Sequence, residues 1–129
     1  MNLLGIDYGE KKVGLALSAG ELSRPYQIIQ VNSLESGVNQ IQTICKTEDI
    51  ERIVIGFPSL DRESDIAKKI ELFARELGKK VDLPIVFQDE TLSSKEALSK
   101  MIEVGKRMKK RQKDDAFAAA IILQNYIDG

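Results

Sequence analysis

The chain reads as an α/β domain: a mixed five-stranded sheet with helices on both faces. Three observations predict it. Short apolar runs separated by turn residues come first, the pattern of hairpins. Strand-like runs then alternate with stretches of helical period. One of those runs, Ile53-Val54-Ile55-Gly56, is apolar throughout, as a strand covered on both faces is. Hairpins pair antiparallel and strand–helix–strand crossovers pair parallel, so the sheet is mixed.

Taken in order, Leu3 to Tyr8 is the first strand, Glu10-Lys11 the turn, and Lys12 to Ser18 the second strand. Ala19 to Pro25 reads as a loop. Tyr26 to Val31 is the third strand, with Tyr26, Ile28 and Gln30 sharing a face. Asn32 caps the first helix with Glu35 as its capping-box partner, and Leu34, Val38, Ile41 and Cys45 form the inward stripe. Cys45 is therefore a core residue. Phe57-Pro58 ends the fourth strand. A second helix carries Ile66, Ile70, Phe73 and Leu77 on one stripe, with Gly78 as terminator. Leu83 to Phe87 is the fifth strand. Ser93 and Glu96 open a helix that runs to Gly105. A basic loop covers Lys106 to Lys113, and an alanine-rich apolar helix covers Asp115 to Ile127. No linker or repeat divides residues 1–129, so one domain is expected.

Composition narrows the chemistry. The chain has 129 residues and no histidine, which excludes Ser-His-Asp and Cys-His mechanisms and His-ligated zinc. A single cysteine excludes an internal disulfide. Neither phosphate-binding glycine motif is present, no apolar run is long enough to span a membrane, and the N-terminus has no targeting pattern, so a cytoplasmic protein is expected. Net charge is −1 but segregated: Thr91 to Lys113 holds eight bases against two acids, a net +6, which leaves −7 on the remainder. A protein that meets a polyanion through one surface has this asymmetry.

Three acidic positions stand out. Asp7 lies within an apolar strand, where a carboxylate is costly to desolvate, and Gly5 and Gly9 leave its backbone uncrowded for close approach. Asp89-Glu90 follows the fifth strand at the sheet edge where α/β sheets carry their sites. Asp114-Asp115 opens the last helix. Each has a structural explanation alone: a hydrogen-bonded aspartate, an acidic turn, a helix cap. Together they can converge above one sheet edge, where mutual repulsion calls for a divalent cation. Hard oxygen ligands select Mg²⁺ or Mn²⁺, and such ions clamp in-line displacement at phosphorus.

The basic run Lys106, Arg107, Lys109, Lys110, Arg111 and Lys113 suits backbone phosphates, and the scarcity of aromatics (Tyr8, Tyr26, Tyr126, no Trp) favours backbone or shape recognition. Ser18 reads as structural, and Ser93 as a cap. Arg24 and Lys11 could face phosphate or solvent. The polar loop Ser59 to Ser64 lies at the same strand edge and could close over substrate.

Four motifs carry a resemblance. Gly5-Ile6-Asp7-Tyr8-Gly9 with Lys12-Val13-Gly14-Leu15-Ala16, Gly56-Phe57-Pro58, Asp89-Glu90-Thr91-Leu92-Ser93-Ser94, and Lys113-Asp114-Asp115 running into Ala116 to Leu123 resemble, in order and spacing, the YqgF/RuvX family. The resemblance implies an RNase H-like fold related to Holliday-junction resolvases. It implies catalytic acids at Asp7, Glu90 and Asp115, and a nuclease for the 5′ end of pre-16S ribosomal RNA. Thr91 stands where the family usually has arginine, and the 59–64 loop lacks the family's glycine.

The leading expectation is thus a metal-dependent nuclease with Asp7, Glu90 and Asp115 on Mg²⁺ or Mn²⁺, acting on structured RNA such as pre-16S rRNA or a pre-ribosome, as a monomer or weak dimer with no membrane partner. A resolvase of branched DNA, which should be dimeric, is the first alternative. A non-catalytic RNA-binding module is the second. A sugar-kinase or actin-like ATPase, whose first phosphate loop Gly5 to Gly9 also resembles, requires two such domains.

Overall fold

A computed structural model describes residues 1–89 and 116–129. The expected helix from Ser93 to Gly105 and the basic loop from Lys106 to Lys113 lie outside the described residues. The described elements are β1 (Leu3–Tyr8), β2 (Lys12–Ser18), β3 (Ser23–Gln30), α1 (Leu34–Thr47), β4 (Arg52–Phe57), α2 (Asp65–Gly78), β5 (Ile85–Asp89) and α3 (Phe117–Asp128). The strands form one sheet in the order β3-β2-β1-β4-β5. β1–β2 and β2–β3 pair antiparallel, and β1–β4 and β4–β5 pair parallel. This is the expected mixed five-stranded sheet, and β1 is its central strand.

Strand alternation divides the core between two faces. Leu4, Ile6, Val13, Leu15, Ile53 and Ile55 join Val38, Ile41, Ile70 and Phe73 of α1 and α2. Leu3, Ala16 and Val54 join Ala119, Ala120, Ile122 and Leu123 of α3 on the other side. Helices therefore cover both faces. Cys45 is buried as expected, and burial pushes its thiol up to about 11.

α3 seats closely because β1 carries glycine beneath it. A Cβ at Gly5 would lie 2.8 Å from Leu123 Cβ and 3.0 Å from the Ala119 carbonyl oxygen. The sequence suggested that Gly5 admits a ligand; it admits a helix. Gly9 serves the turn instead, since a Cβ there would lie 2.6 Å from the Lys12 carbonyl oxygen. At its other end α3 is latched to β3. Ser23 N–H donates to Gln124 Oε1 at 2.8 Å, Ser23 Oγ donates to the Ala120 carbonyl at 2.6 Å, and Gln124 Nε2 donates to the Glu21 carbonyl at 3.1 Å. Arg52 Nη1 donates to Tyr126 Oη at 2.6 Å. Ser23 pairs with Ser18, which pairs with Leu3, so the C-terminal part of α3 lies over the start of β1. The Ala116 end of the helix therefore points toward Asp7.

Several local expectations are corrected. β3 begins at Ser23, within the stretch read as loop, because Ser23 is anchored by α3 and Pro25 is tolerated on an edge strand. Its faces are also shifted. Leu15 pairs with Gln27 and Ala16 with Pro25, which leaves Tyr26 as a bulge residue. Ile29 consequently enters the α1–α2 core, while Ile28, paired with Gly14, lies on the opposite face. The cap of α1 is Ser33, whose side chain accepts from Ser36 N–H at 3.1 Å, one residue beyond Asn32. Gly78 is the last residue of α2 and no left-handed terminator; the N–H groups of Lys79, Lys80 and Val81 close the helix on Glu76 and Leu77 carbonyls. β5 runs two residues further than expected, because parallel pairing with β4 continues through Phe57 and Asp89.

Two substitutions test this packing. Gly5→Ala forces α3 off the sheet and should cost about 1–3 kcal/mol in denaturant unfolding. Asp49 follows α1 with φ 52°, a left-handed conformation that favours glycine. Asp49→Gly should therefore raise stability by about 0.5–1 kcal/mol in the same measurement; an unchanged or lowered midpoint would count against strain at this turn.

Candidate active site

β1, β4 and β5 run parallel, so their C-terminal ends share one edge of the sheet. Asp7 lies at that edge on the central strand. It follows Leu3 and Gly5 in the strand alternation and so lies on the α3 face. In β2 it is paired with Gly14. In β4 its level is that of Gly56, one step past the Ile6–Ile55 pair, and Gly56 is in turn paired with Gln88 of β5. Glycine on both neighbouring strands puts no side chain against the carboxylate. That pair was missed in the sequence, although an interior strand glycine such as Gly14 is itself a signal of close approach.

Asp7 is half-buried, and burial raises its carboxyl above the ordinary aspartate value of 3.8. No hydrogen bond or charge from another described residue offsets that cost. Among the described residues no group of three potential ligands could hold a metal ion. Glu90, Asp115 and the six basic residues Lys106, Arg107, Lys109, Lys110, Arg111 and Lys113 all lie outside the described residues. Of the acidic pair at β5, Asp89 is described. It is part of the strand and shares the face of Phe57, which belongs to the α1–α2 core, so it lies opposite to Asp7.

The remaining candidates sort by position. Ser18 is buried and accepts from Gly20 N–H at 2.9 Å, a structural role at the far end of the sheet. Arg24 pairs with Leu17, also at that far end. Lys11 is an exposed turn residue whose carbonyl accepts from Val31 N–H at 2.8 Å. Tyr8 turns away from Asp7 and stacks on Phe73 with centroids 4.6 Å apart. Tyr126 is held by Arg52. The 59–64 loop lies at the Asp7 edge and folds on itself: Asp61 N–H donates to the Pro58 carbonyl at 3.0 Å, and Ser64 caps α2.

This arrangement, an acid on the central strand of a mixed five-stranded sheet flanked by helices, defines an RNase H-like domain. The fold is shared with Thermus thermophilus RuvC in complex with a Holliday junction substrate, at TM-score 0.60 and 19% identity over 98% of this chain and 93% of that one. It is shared equally with the fowlpox virus resolvase solved with Holliday junction DNA, at TM-score 0.64 and 11% identity over 99% and 97%. More particularly, the chain belongs to the RuvX family, described as Holliday junction resolvase, whose model matches residues 1–129. Its curated relatives include a Syntrophus aciditrophicus protein 38% identical over 99% of this chain and 89% of its own length. A Maridesulfovibrio salexigens protein is 37% identical over 98% of each. Both carry pre-16S rRNA nuclease as a provisional name.

The raised carboxyl of Asp7 has a thermodynamic sign. Folding favours its protonated form, so the stability it contributes is present below the ordinary value of 3.8 and is lost as pH rises through the folded value. Near neutrality the ionised group is a net cost. In metal-free buffer Asp7→Asn should melt a few degrees above the wild type at neutral pH, and the gap should close on acidification. A neutral-pH midpoint below that of the wild type would show instead that a partner holds the carboxylate.

Proposed function

We propose that this chain is a metal-dependent nuclease that hydrolyses phosphodiester bonds in processing the 5′ end of pre-16S ribosomal RNA, in the cytoplasm where that precursor is made. One observation carries the reading: a desolvated carboxylate, Asp7, without a described partner, on the central strand at the C-terminal sheet edge. A fold keeps so costly a group where function uses it. The substrate is supported by the names of the curated relatives.

The catalytic and metal-holding residues in this reading are Asp7, Glu90 and Asp115. Asp7 fits a hard cation, since an ionised carboxylate with no protein partner is relieved by one. The other two adjoin described positions: Glu90 follows Asp89 at the end of β5, and Asp115 precedes Ala116, which leads into α3 at its Asp7 end. An all-carboxylate set selects Mg²⁺ or Mn²⁺. Held by these acids, such an ion would supply Lewis-acid chemistry for water activation and for charge on the leaving oxygen. The chain's own residues do the rest: the acids fix the reacting phosphate relative to the sheet, and Lys106, Arg107, Lys109, Lys110, Arg111 and Lys113 neutralise neighbouring phosphates without reading sequence.

A second reading changes the substrate to branched DNA. The family description favours it, as do the two structural neighbours solved with Holliday junctions. Labelled RNA bearing the 16S leader and a four-way DNA junction, each offered with Mg²⁺, Mn²⁺ or EDTA, separate the two. We expect RNA cleavage that requires metal and falls at least about a hundredfold in Asp7→Asn, a larger loss than disturbing a ligand's supporting contacts brings. Junction cleavage alone, by a dimer in solution, would move the substrate to DNA. Undiminished cutting by Asp7→Asn would remove Asp7 from the site.

A further inference from the structure

We infer that Lys12 is a further substrate-contacting residue, whose ammonium binds a non-bridging oxygen of the phosphodiester held at Asp7. The inference rests on the nuclease reading above and adds a residue to it. The β1–β2 register sets Asp7 opposite Gly14. Val13 and Leu15 of β2 enter the α1–α2 core, and Ala16 enters the α3-side core. Alternation therefore puts Lys12, with Gly14 and Ala16, on the face that carries Asp7. Lys12 is one diagonal step from Asp7 across the strand pair. Such neighbours are about 7–8 Å apart at the backbone, within reach of a long side chain. Gly14 places no side chain between them.

Edge protection and ion pairing, two usual roles of a strand lysine, do not account for Lys12 among the described residues. Lysines guard exposed sheet edges, but β2 is an interior strand flanked by β1 and β3. Among the described residues Lys12 is exposed and has no ion pair. Its cross-strand partner on β3, Gln30, is neutral. Lys69, another cation near the end of β1, is engaged by Glu10. An ammonium and a carboxylate, each without a partner among the described residues, thus share one face one diagonal step apart. A phosphodiester brought to Asp7 is repelled by it, and a mobile point charge on a four-carbon stem offsets that repulsion.

The test is binding and cleavage of labelled 16S-leader RNA by wild type, Lys12→Ala, Lys12→Gln and Lys12→Arg. Binding is measured in EDTA on the Asp7→Asn background, so that cleavage plays no part. Losing one phosphate contact lowers the slope of log affinity against log salt by about 1 in both neutral variants. In the Asp7-intact enzymes it lowers kcat/KM by about 10- to 100-fold, the usual worth of a charged hydrogen bond. Lys12→Arg, which keeps the charge, recovers most of both. Neutral variants that match their parents in slope and rate overturn the inference, and leave the nuclease reading standing if Asp7→Asn is inactive. If the wild type cuts nothing, the nuclease reading falls, and the salt slope still decides whether Lys12 meets phosphate.

Discussion

Everything in this molecule that concerns its site depends on how closely α3 lies on β1. An apolar helix rich in alanine can approach a sheet only where the strand offers no side chain, and Gly5 is that place. The contact sets the height of the helix, and the hydrogen bonds from Ser23 to Gln124 and to the Ala120 carbonyl set its position along the sheet. Height and position together decide where Ala116 enters. A helix displaced by one methyl group would leave Asp7 on the strand and lose the register between strand and helix start.

Asp7 is the counterpart of that precision. The surrounding core is stabilised by burying apolar surface, whereas burial works against this one carboxylate. Glycine on either side, Gly14 and Gly56, withholds the side chains that could have shielded or paired it. The same omission leaves the acid accessible to an incoming charged group. Burial disfavours the ionised form at this one residue, and the large core beneath tolerates the loss.

Much of this was legible in the sequence. The mixed pairing of the sheet follows from early hairpins and later crossovers, and Asp7 announces itself as a charge inside an apolar strand. What was illegible has physical causes. The bulge at Tyr26 turns the outer half of β3 over, so alternation counted from Tyr26 puts Ile28 in place of Ile29 in the core. Ser23 looked like loop because its stabilising partner, Gln124, is 101 residues away. Gly5 looked like room for a ligand because nothing local reveals a helix that returns from the far end of the chain. The end of β5 was misplaced because pairing with β4, and not composition, carries it through Asp89. Glu90 and Asp115 lie outside the described residues, and their place in the proposed site rests on the sequence and the family resemblance alone.

The latch between β3 and α3 bears on synthesis. Ser23 leaves the ribosome long before Gln124, and β1 long before α3. Until the last helix emerges, Leu3, Ala16 and Val54 have no cover and the edge strand has no anchor. Contacts of such sequence separation close late in folding. A chain without α3 therefore carries Asp7 on a sheet face that has lost its cover.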